Sequence, residues 1–282
     1  MMYHKKPAMF VNHISLNVSN LNNSVNYYTH IIGLKLLNTD HTNATLSADG
    51  SLPIVTLRQQ DNIRPKQPNT TGLYHFALLV PSREDLANVV QHLRQLNIPF
   101  GSSDHLVSEA IYISDPDGNG IEIYADRSES TWRWHNGEVE MAVDPLDIKD
   151  LLNATKHQDW YGIAEKTIIG HIHLHVSDLK IAEQFYCSIL EFEVVNRYGN
   201  QALFISSENY HHHIGLNTWN GEGAPQPKEN SVGLHSFILF VPEETKQKSM
   251  IKKLKENGIS FEDINEQLII KDPFNNTIII RS

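Results

Sequence analysis

Short apolar runs and period-two alternation divide the chain into strands, with amphipathic helical stretches between them at a regular spacing. The segment Gly72-Leu73-Tyr74-His75-Phe76-Ala77-Leu78-Leu79-Val80-Pro81 has the pattern of a buried strand stopped by proline, with His75 as the ionisable group in an apolar run. Further on, Ala110 to Ser114 predicts a strand, Asp115-Pro116-Asp117-Gly118-Asn119-Gly120 a turn, and Ile121-Glu122-Ile123-Tyr124 the returning strand. Burying a lone carboxylate costs several kcal/mol or more, so Glu122 must be neutralised, hydrogen-bonded or bound to a cation, unless it faces solvent on an ordinary hairpin.

The pattern recurs. His13-Ile14-Ser15-Leu16-Asn17-Val18-Ser19-Asn20-Leu21 matches His171-Ile172-His173-Leu174-His175-Val176-Ser177-Asp178-Leu179 without a gap at an offset of 158 residues, and Tyr28 falls on Tyr186. Gly72 to Pro81 likewise matches Gly233 to Pro242, and Asp115-Pro116 matches Asp272-Pro273. Each half divides again into a strand, a helix and three strands. The chain therefore predicts an α+β fold of four βαβββ units starting near residues 11, 73, 169 and 234. By sequence, the first pair of units spans 8–126 and the second pair 168–282, joined by a linker at 127–167. That linker carries Trp132, Trp134 and Trp160, so it is expected to pack on the body.

Composition narrows the function classes. A chain of 282 residues, 40% hydrophobic and 20% charged, has the balance of a soluble globular protein with two sizeable cores. Its net charge of -10 argues against a nucleic-acid surface. No apolar run reaches the roughly 18 residues needed to span a membrane, and the first residues lack a secretory apolar segment, so a cytoplasmic location is expected. The single cysteine, Cys187, excludes an intramolecular disulfide and a cysteine metal cluster. Histidine is what stands out: there are 16, and they cluster.

Residues two apart on a strand share a face, so His171, His173 and His175 line one side of their strand while Ile172, Leu174 and Val176 line the other. At the end of the same unit, Tyr210-His211-His212-His213 brings more imidazole to a predicted last strand, and at least one of the three is expected in a solvated loop.

Four βαβββ units forming two cupped mixed sheets resemble the vicinal oxygen chelate superfamily of glyoxalases, fosfomycin-resistance proteins and extradiol dioxygenases. The segment ending at Glu122 resembles the superfamily's last-strand motif, which carries a carboxylate metal ligand. The resemblance to its extradiol dioxygenases, of the catechol 2,3-dioxygenase kind, implies a two-histidine, one-carboxylate site for Fe(II), with Mn(II) or another divalent metal as alternatives, and a catecholic substrate cleaved with O2. It implies His75, Glu122 and His171 as metal ligands, His213 as acid/base, Tyr112 as a hydrogen-bond partner of substrate, His173 as a residue orienting dioxygen, and His105 as a substrate contact. This assignment needs the second and third units to face one another, leaving the first and fourth as a metal-free half. Pairing the first and second units instead would use His13 in place of His171, without an acid/base histidine on the first unit's last strand. Pairing the third and fourth meets Ser236 where His75 would stand and Ile279 where Glu122 would stand. The rival expectations are a glyoxalase-like isomerase, a thiol transferase, or a metal-free binding protein of the same fold. A homo-oligomer is expected, although nothing in the residues specifies its order.

Overall fold

The computed structural model describes residues 3–155, 159–265 and 267–282, so residues 156–158 of the linker lie outside it. The first unit runs β1 (Phe10–Asn17), α1 (Leu21–His30), β2 (Lys35–Thr39), β3 (Asn43–Ser47) and β4 (Pro53–Arg58). The second has β5 (Gly72–Leu79), α2 (Arg83–Gln95), β6 (Gly101–Asp104), β7 (Ser108–Ser114) and β8 (Gly120–Asp126). A linker with the short ribbon β9 (Trp134–His135) and β10 (Glu138–Val139) and helix α3 (Ile148–Leu152) follows. The third unit comprises β11 (Ile168–His175), α4 (Leu179–Glu183) continued by a π-turn at Gln184–Ile189, β12 (Glu193–Tyr198), β13 (Ala202–Ser206) and β14 (Ile214–Asn217). The fourth comprises β15 (Gly233–Phe240), α5 (Glu244–Glu256), β16 (Phe261–Ile264), β17 (Gln267–Lys271) and β18 (Thr277–Arg281).

These strands build two mixed eight-stranded sheets, ordered β16-β17-β18-β15-β1-β4-β3-β2 and β12-β13-β14-β11-β5-β8-β7-β6. In each, two units meet through antiparallel first strands, β1 against β15 and β11 against β5. The second unit therefore pairs with the third and the first with the fourth. The sheets cross the sequential halves 8–126 and 168–282, which describe the repeat and not the sheet partners.

Two β-bulges at each seam set which side chains face the cup. Pairing of β11 with β5 skips Gly170 on one strand and Tyr74 on the other, so Leu73 and Phe76 both join the core while Tyr74 and His75 between them face the opposite side. The β1–β15 seam repeats the device by skipping Asn12 and His235. Ile14, Phe76, Leu174 and Phe237, one from each seam strand, lie in a single contiguous core that both sheets share. Among the described residues no helix is long and apolar enough to cross a membrane.

The linker packs on this body. Trp132 is buried with Val107, Val139 and Tyr210, its indole N–H donating to the Val107 carbonyl at 3.2 Å, and Trp160 stacks on His92 at 4.1 Å.

A duplicated bracket ties the two sheets. Tyr28 from α1 donates to the buried Asp115 of the second unit at 3.0 Å, and Tyr186 of the third donates to Asp272 of the fourth at 2.8 Å. Each carboxylate also accepts three bonds from its own turn: from Asp117 N, Asn119 N and Asn119 Nδ2 at Asp115, and from Phe274 N, Asn276 N and Asn276 Nδ2 at Asp272. Tyr28→Phe or Tyr186→Phe removes one partner from a buried carboxylate and should each lower stability by about 1–3 kcal/mol in urea unfolding. A midpoint equal to the parent's in both would show that the brackets do not hold the sheets.

Candidate active site

The cup of the second and third units gathers His75 from β5, His171 from β11 and Glu122 from β8, all buried. His75 Nε2 and His171 Nε2 lie 3.0 and 3.2 Å from Glu122 Oε2, and 3.3 Å from each other. His75 and Glu122 come together because β5 and β8 are parallel neighbours, and His171 joins them across the antiparallel seam. Burial works against the Glu122 carboxylate, but His171 and His75 hold it well below the usual range, so it is an anion at neutral pH. Burial also lowers His171 to about 4, against the pull of Glu122, so its imidazole is neutral. A neutral imidazole and an ionised carboxylate are the forms that bind metal.

The spacing fits one ion. Three donors about 2.0–2.2 Å from a common metal at right angles stand about 2.8–3.1 Å apart, and the observed separations are within a few tenths of an ångström of that. The donor set is two nitrogens and one oxygen on adjacent strands, with one side open to a cavity. His13, the alternative ligand, lies in the other sheet with its Nε2 3.0 Å from Thr56 Oγ1.

That cavity, about 320 Å³, is walled by Tyr74, Val107, Met141, Phe204 and Trp219 and reaches His75, Glu122, His105, Tyr112, His173 and His212. The linker supplies its roof through Met141, Ala142 and Val143. The Ala142 carbonyl accepts from His105 Nδ1 at 2.7 Å, which leaves His105 Nε2 as the acceptor for the Tyr112 hydroxyl at 2.5 Å. Burial and the nearby Glu122 raise the Tyr112 phenol well above its ordinary value and keep it protonated. His173 is held by Asn217. The Trp219 backbone N–H donates to Asn217 Oδ1, so Nδ2 faces His173 Nε2 at 2.9 Å and the His173 proton sits on Nδ1. A Cβ at Gly215 would come within 2.8 Å of the His173 ring, and one at Gly120 within 2.4 Å of the Tyr74 carbonyl, so both positions require glycine for close approach.

His213 is placed elsewhere, which corrects the expected acid/base position. It is fully buried, its Nδ1 accepts from Ser207 N–H at 3.3 Å, and its Nε2 therefore donates to the Tyr3 carbonyl at 3.0 Å. Burial, and then His4, hold its imidazole well below the ordinary range, so the ring is neutral and its one N–H is engaged by the Tyr3 carbonyl. The neighbouring ring, His212, faces the cavity instead, 4.1 Å centroid to centroid from His171. The sequence pattern located the three-histidine run but pointed His213 at the cup where the structure turns His212 to it, because β14 begins only at Ile214 and strand alternation does not extend back through 211–213. Tyr74, Phe204 and Trp219 were also missed. Tyr74 was hidden by its bulge, and the other two looked like ordinary apolar positions.

Known proteins bear on this geometry. The family model for the glyoxalase/bleomycin resistance protein/dioxygenase superfamily matches residues 10–123 and 168–280. The chain belongs to that superfamily. It is 40% identical to the catechol-2,3-dioxygenase of Bacillus subtilis (strain 168) over 273 residues, covering 95% of each chain. A metallothiol transferase FosB of Staphylococcus epidermidis matches 45% of the chain at 31% identity, covering 89% of that protein. Among solved structures, glyoxalase I from Zea mays aligns with a TM-score of 0.56 at 15% identity over 96% of this chain and 92% of that one, a likeness of fold.

Proton linkage at the buried histidines gives a test. Burial lowers His4, His13 and His171 from 6.5 to about 4, so the unfolded chain binds protons where the folded one does not. Their contribution is complete above pH 6.5 and is lost as pH falls toward 4, at up to about 1.4 kcal/mol per histidine per pH unit. The urea midpoint of the metal-free protein should fall between pH 7.5 and pH 5; a flat profile would show these rings to be solvated.

Proposed function

We propose that this protein is an Fe(II)-dependent extradiol dioxygenase that cleaves catechol, or a catechol bearing an uncharged apolar substituent, between a hydroxylated and an adjacent ring carbon. The observation that carries the reading is the His75, His171 and Glu122 set at the floor of an aromatic cavity, in a chain similar over nearly its whole length to a catechol-2,3-dioxygenase. His75, His171 and Glu122 would hold the ion, and Mn(II) suits the same donors. When bound, the ion would supply a Lewis acid to which catechol and dioxygen can both bind and a route for electrons between them.

The protein's own groups do the rest. Glu122 contributes one negative charge against two neutral imidazoles, so substrate can bind as an anion without overloading the site with charge. Tyr74, Phe204 and Trp219 offer aromatic surface to the ring and exclude water. His212, in the place first assigned to His213, takes the proton of a substrate hydroxyl and returns it during ring opening. The Tyr112 oxygen, having given its hydrogen to His105, keeps lone pairs for a substrate O–H. His173, fixed by Asn217, lines the side where dioxygen would stand.

Incubating Fe(II)-loaded protein with catechol and O2 should produce a yellow semialdehyde. His75→Ala, His171→Ala and Glu122→Gln should each lose bound iron and its stabilisation, about 2.7 kcal/mol at a hundred times the dissociation constant, while His13→Ala keeps both. Iron retained by His171→Ala and lost by His13→Ala would refute the site. No Lys or Arg lines the cavity among the described residues. Turnover of 3-methylcatechol should therefore exceed that of 3,4-dihydroxybenzoate by about 10-fold or more in kcat/KM, the equivalent of 1.4 kcal/mol for an unpaired carboxylate. Equal turnover would exclude the substrate preference. Thiol transfer to fosfomycin without ring cleavage would favour the transferase alternative.

A further inference from the structure

His211 and Asp126 take no part in the donor set, yet with His212 they form a hydrogen-bonded chain from the cavity toward solvent. His212 lines the cavity, and its Nδ1 lies 2.9 Å from Nδ1 of the fully buried His211. His211 Nε2 lies 2.9 Å from Oδ1 of Asp126, whose side chain is 26% exposed. The Tyr210 hydroxyl donates to the same carboxylate, 3.2 Å from each oxygen, and stands 2.7 Å from the Tyr124 hydroxyl.

Donor and acceptor rules assign the hydrogens. An ionised carboxylate only accepts, so His211 Nε2 carries hydrogen. With His211 neutral, its Nδ1 accepts, and the Nδ1–Nδ1 contact then requires His212 to donate from Nδ1. Nε2 of His212 is left without hydrogen and makes no hydrogen bond among the described residues. The adjacent His213 cannot substitute, because the Tyr3 carbonyl and the Ser207 N–H occupy both of its nitrogens.

We propose that Asp126 and His211 are positioning residues that hold His212 in its Nδ1–H form, with a bare Nε2 available to the cavity, and give the proton collected there a path outward. The logic is that of a base oriented by a second group and a carboxylate, here with a second imidazole between them. The transfer balances. A substrate O–H bond breaks and an N–H bond forms at His212 Nε2; the Nδ1–H of His212 breaks as one forms at His211 Nδ1. His211 is left as an imidazolium against the Asp126 carboxylate, opposite the negative charge on the substrate oxygen, and no electrons change hands. The kinetic half of this proposal rests on the ring-cleavage reading; the hydrogen assignment does not.

Two measurements test it. In protein carrying ¹⁵N-labelled histidine, metal-free and zinc(II)-loaded, the ring nitrogens of His212 should show hydrogen on Nδ1 and none on Nε2. Asp126→Asn, whose amide can offer N–H to His211, should reverse the pattern. The opposite form in the parent overturns the proposal. In steady-state kinetics with catechol, Asp126→Asn and His211→Gln should keep bound iron and a KM within about two-fold, and lower kcat by about 10²-fold, with Asp126→Glu restoring part of the loss. Parental kcat in Asp126→Asn overturns the proposal. So does loss of iron and of melting temperature in Asp126→Asn that Asp126→Glu does not mend, since that marks a purely structural residue. A parent inactive on every catechol refutes the ring-cleavage reading alone, because the NMR measurement needs no turnover.

Discussion

The structure turns on one constraint: the Glu122 carboxylate is nine-tenths or more out of water and is compensated partly from its own unit and partly from another. His75 comes from the same unit, on a strand separated from that of Glu122 by two others in sequence but adjacent to it in the sheet; His171 comes from the third unit, across the linker. A buried charge without a partner costs several kcal/mol, whereas a cation between all three groups would satisfy them together. The pairing of the second unit with the third therefore has a chemical consequence as well as a structural one. It puts two imidazoles and one carboxylate within reach of a single ion.

The other sheet shows what the duplicated architecture does without that carboxylate. Its seam has the same paired bulges, at Asn12 and His235, and its Tyr186–Asp272 bracket mirrors Tyr28–Asp115. Yet Ile279 stands where Glu122 would stand and Ser236 where His75 would, so His13 is left to bond Thr56. Fold-determining features are kept in both copies, and chemistry-determining ones in one. The brackets join the first unit to the second and the third to the fourth, while the seams join the second to the third and the first to the fourth, so every unit is held to two others. This cross-connection gives the cup fixed walls, and the linker closes it by laying Met141, Ala142 and Val143 over the aromatic side chains.

Around the donor set, histidine acts by position more than by charge. His105, His173 and His212 lie in one cavity and are oriented by specific partners: the Ala142 carbonyl and Tyr112 hydroxyl for His105, the Asn217 amide for His173 and the His211 ring for His212. Burial keeps His173 and His212 well below the ordinary range, so these two rings meet the cavity as neutral imidazoles. Such a lining can pass a proton without adding positive charge beside the metal position.

The sequence by itself determined the α+β class and the four units, because strand periodicity and an internal repeat are local properties that survive without knowledge of contacts; the three candidate donors came from the resemblance that those units carry. The exchanged pairing was expected from the same resemblance, because the third unit offered His171 together with a histidine run at its last strand and the first unit offered no such histidine. Only the tertiary structure decided which imidazole of 211–213 meets the cavity. Those residues precede β14, where alternation has no force, and their directions are set by Asp126, Tyr3 and Ser207, which are remote in sequence or engaged through the backbone. Tyr74 was hidden for the same kind of reason. A bulge is a relation between two strands, and the pattern along one of them does not show where its partner will slip.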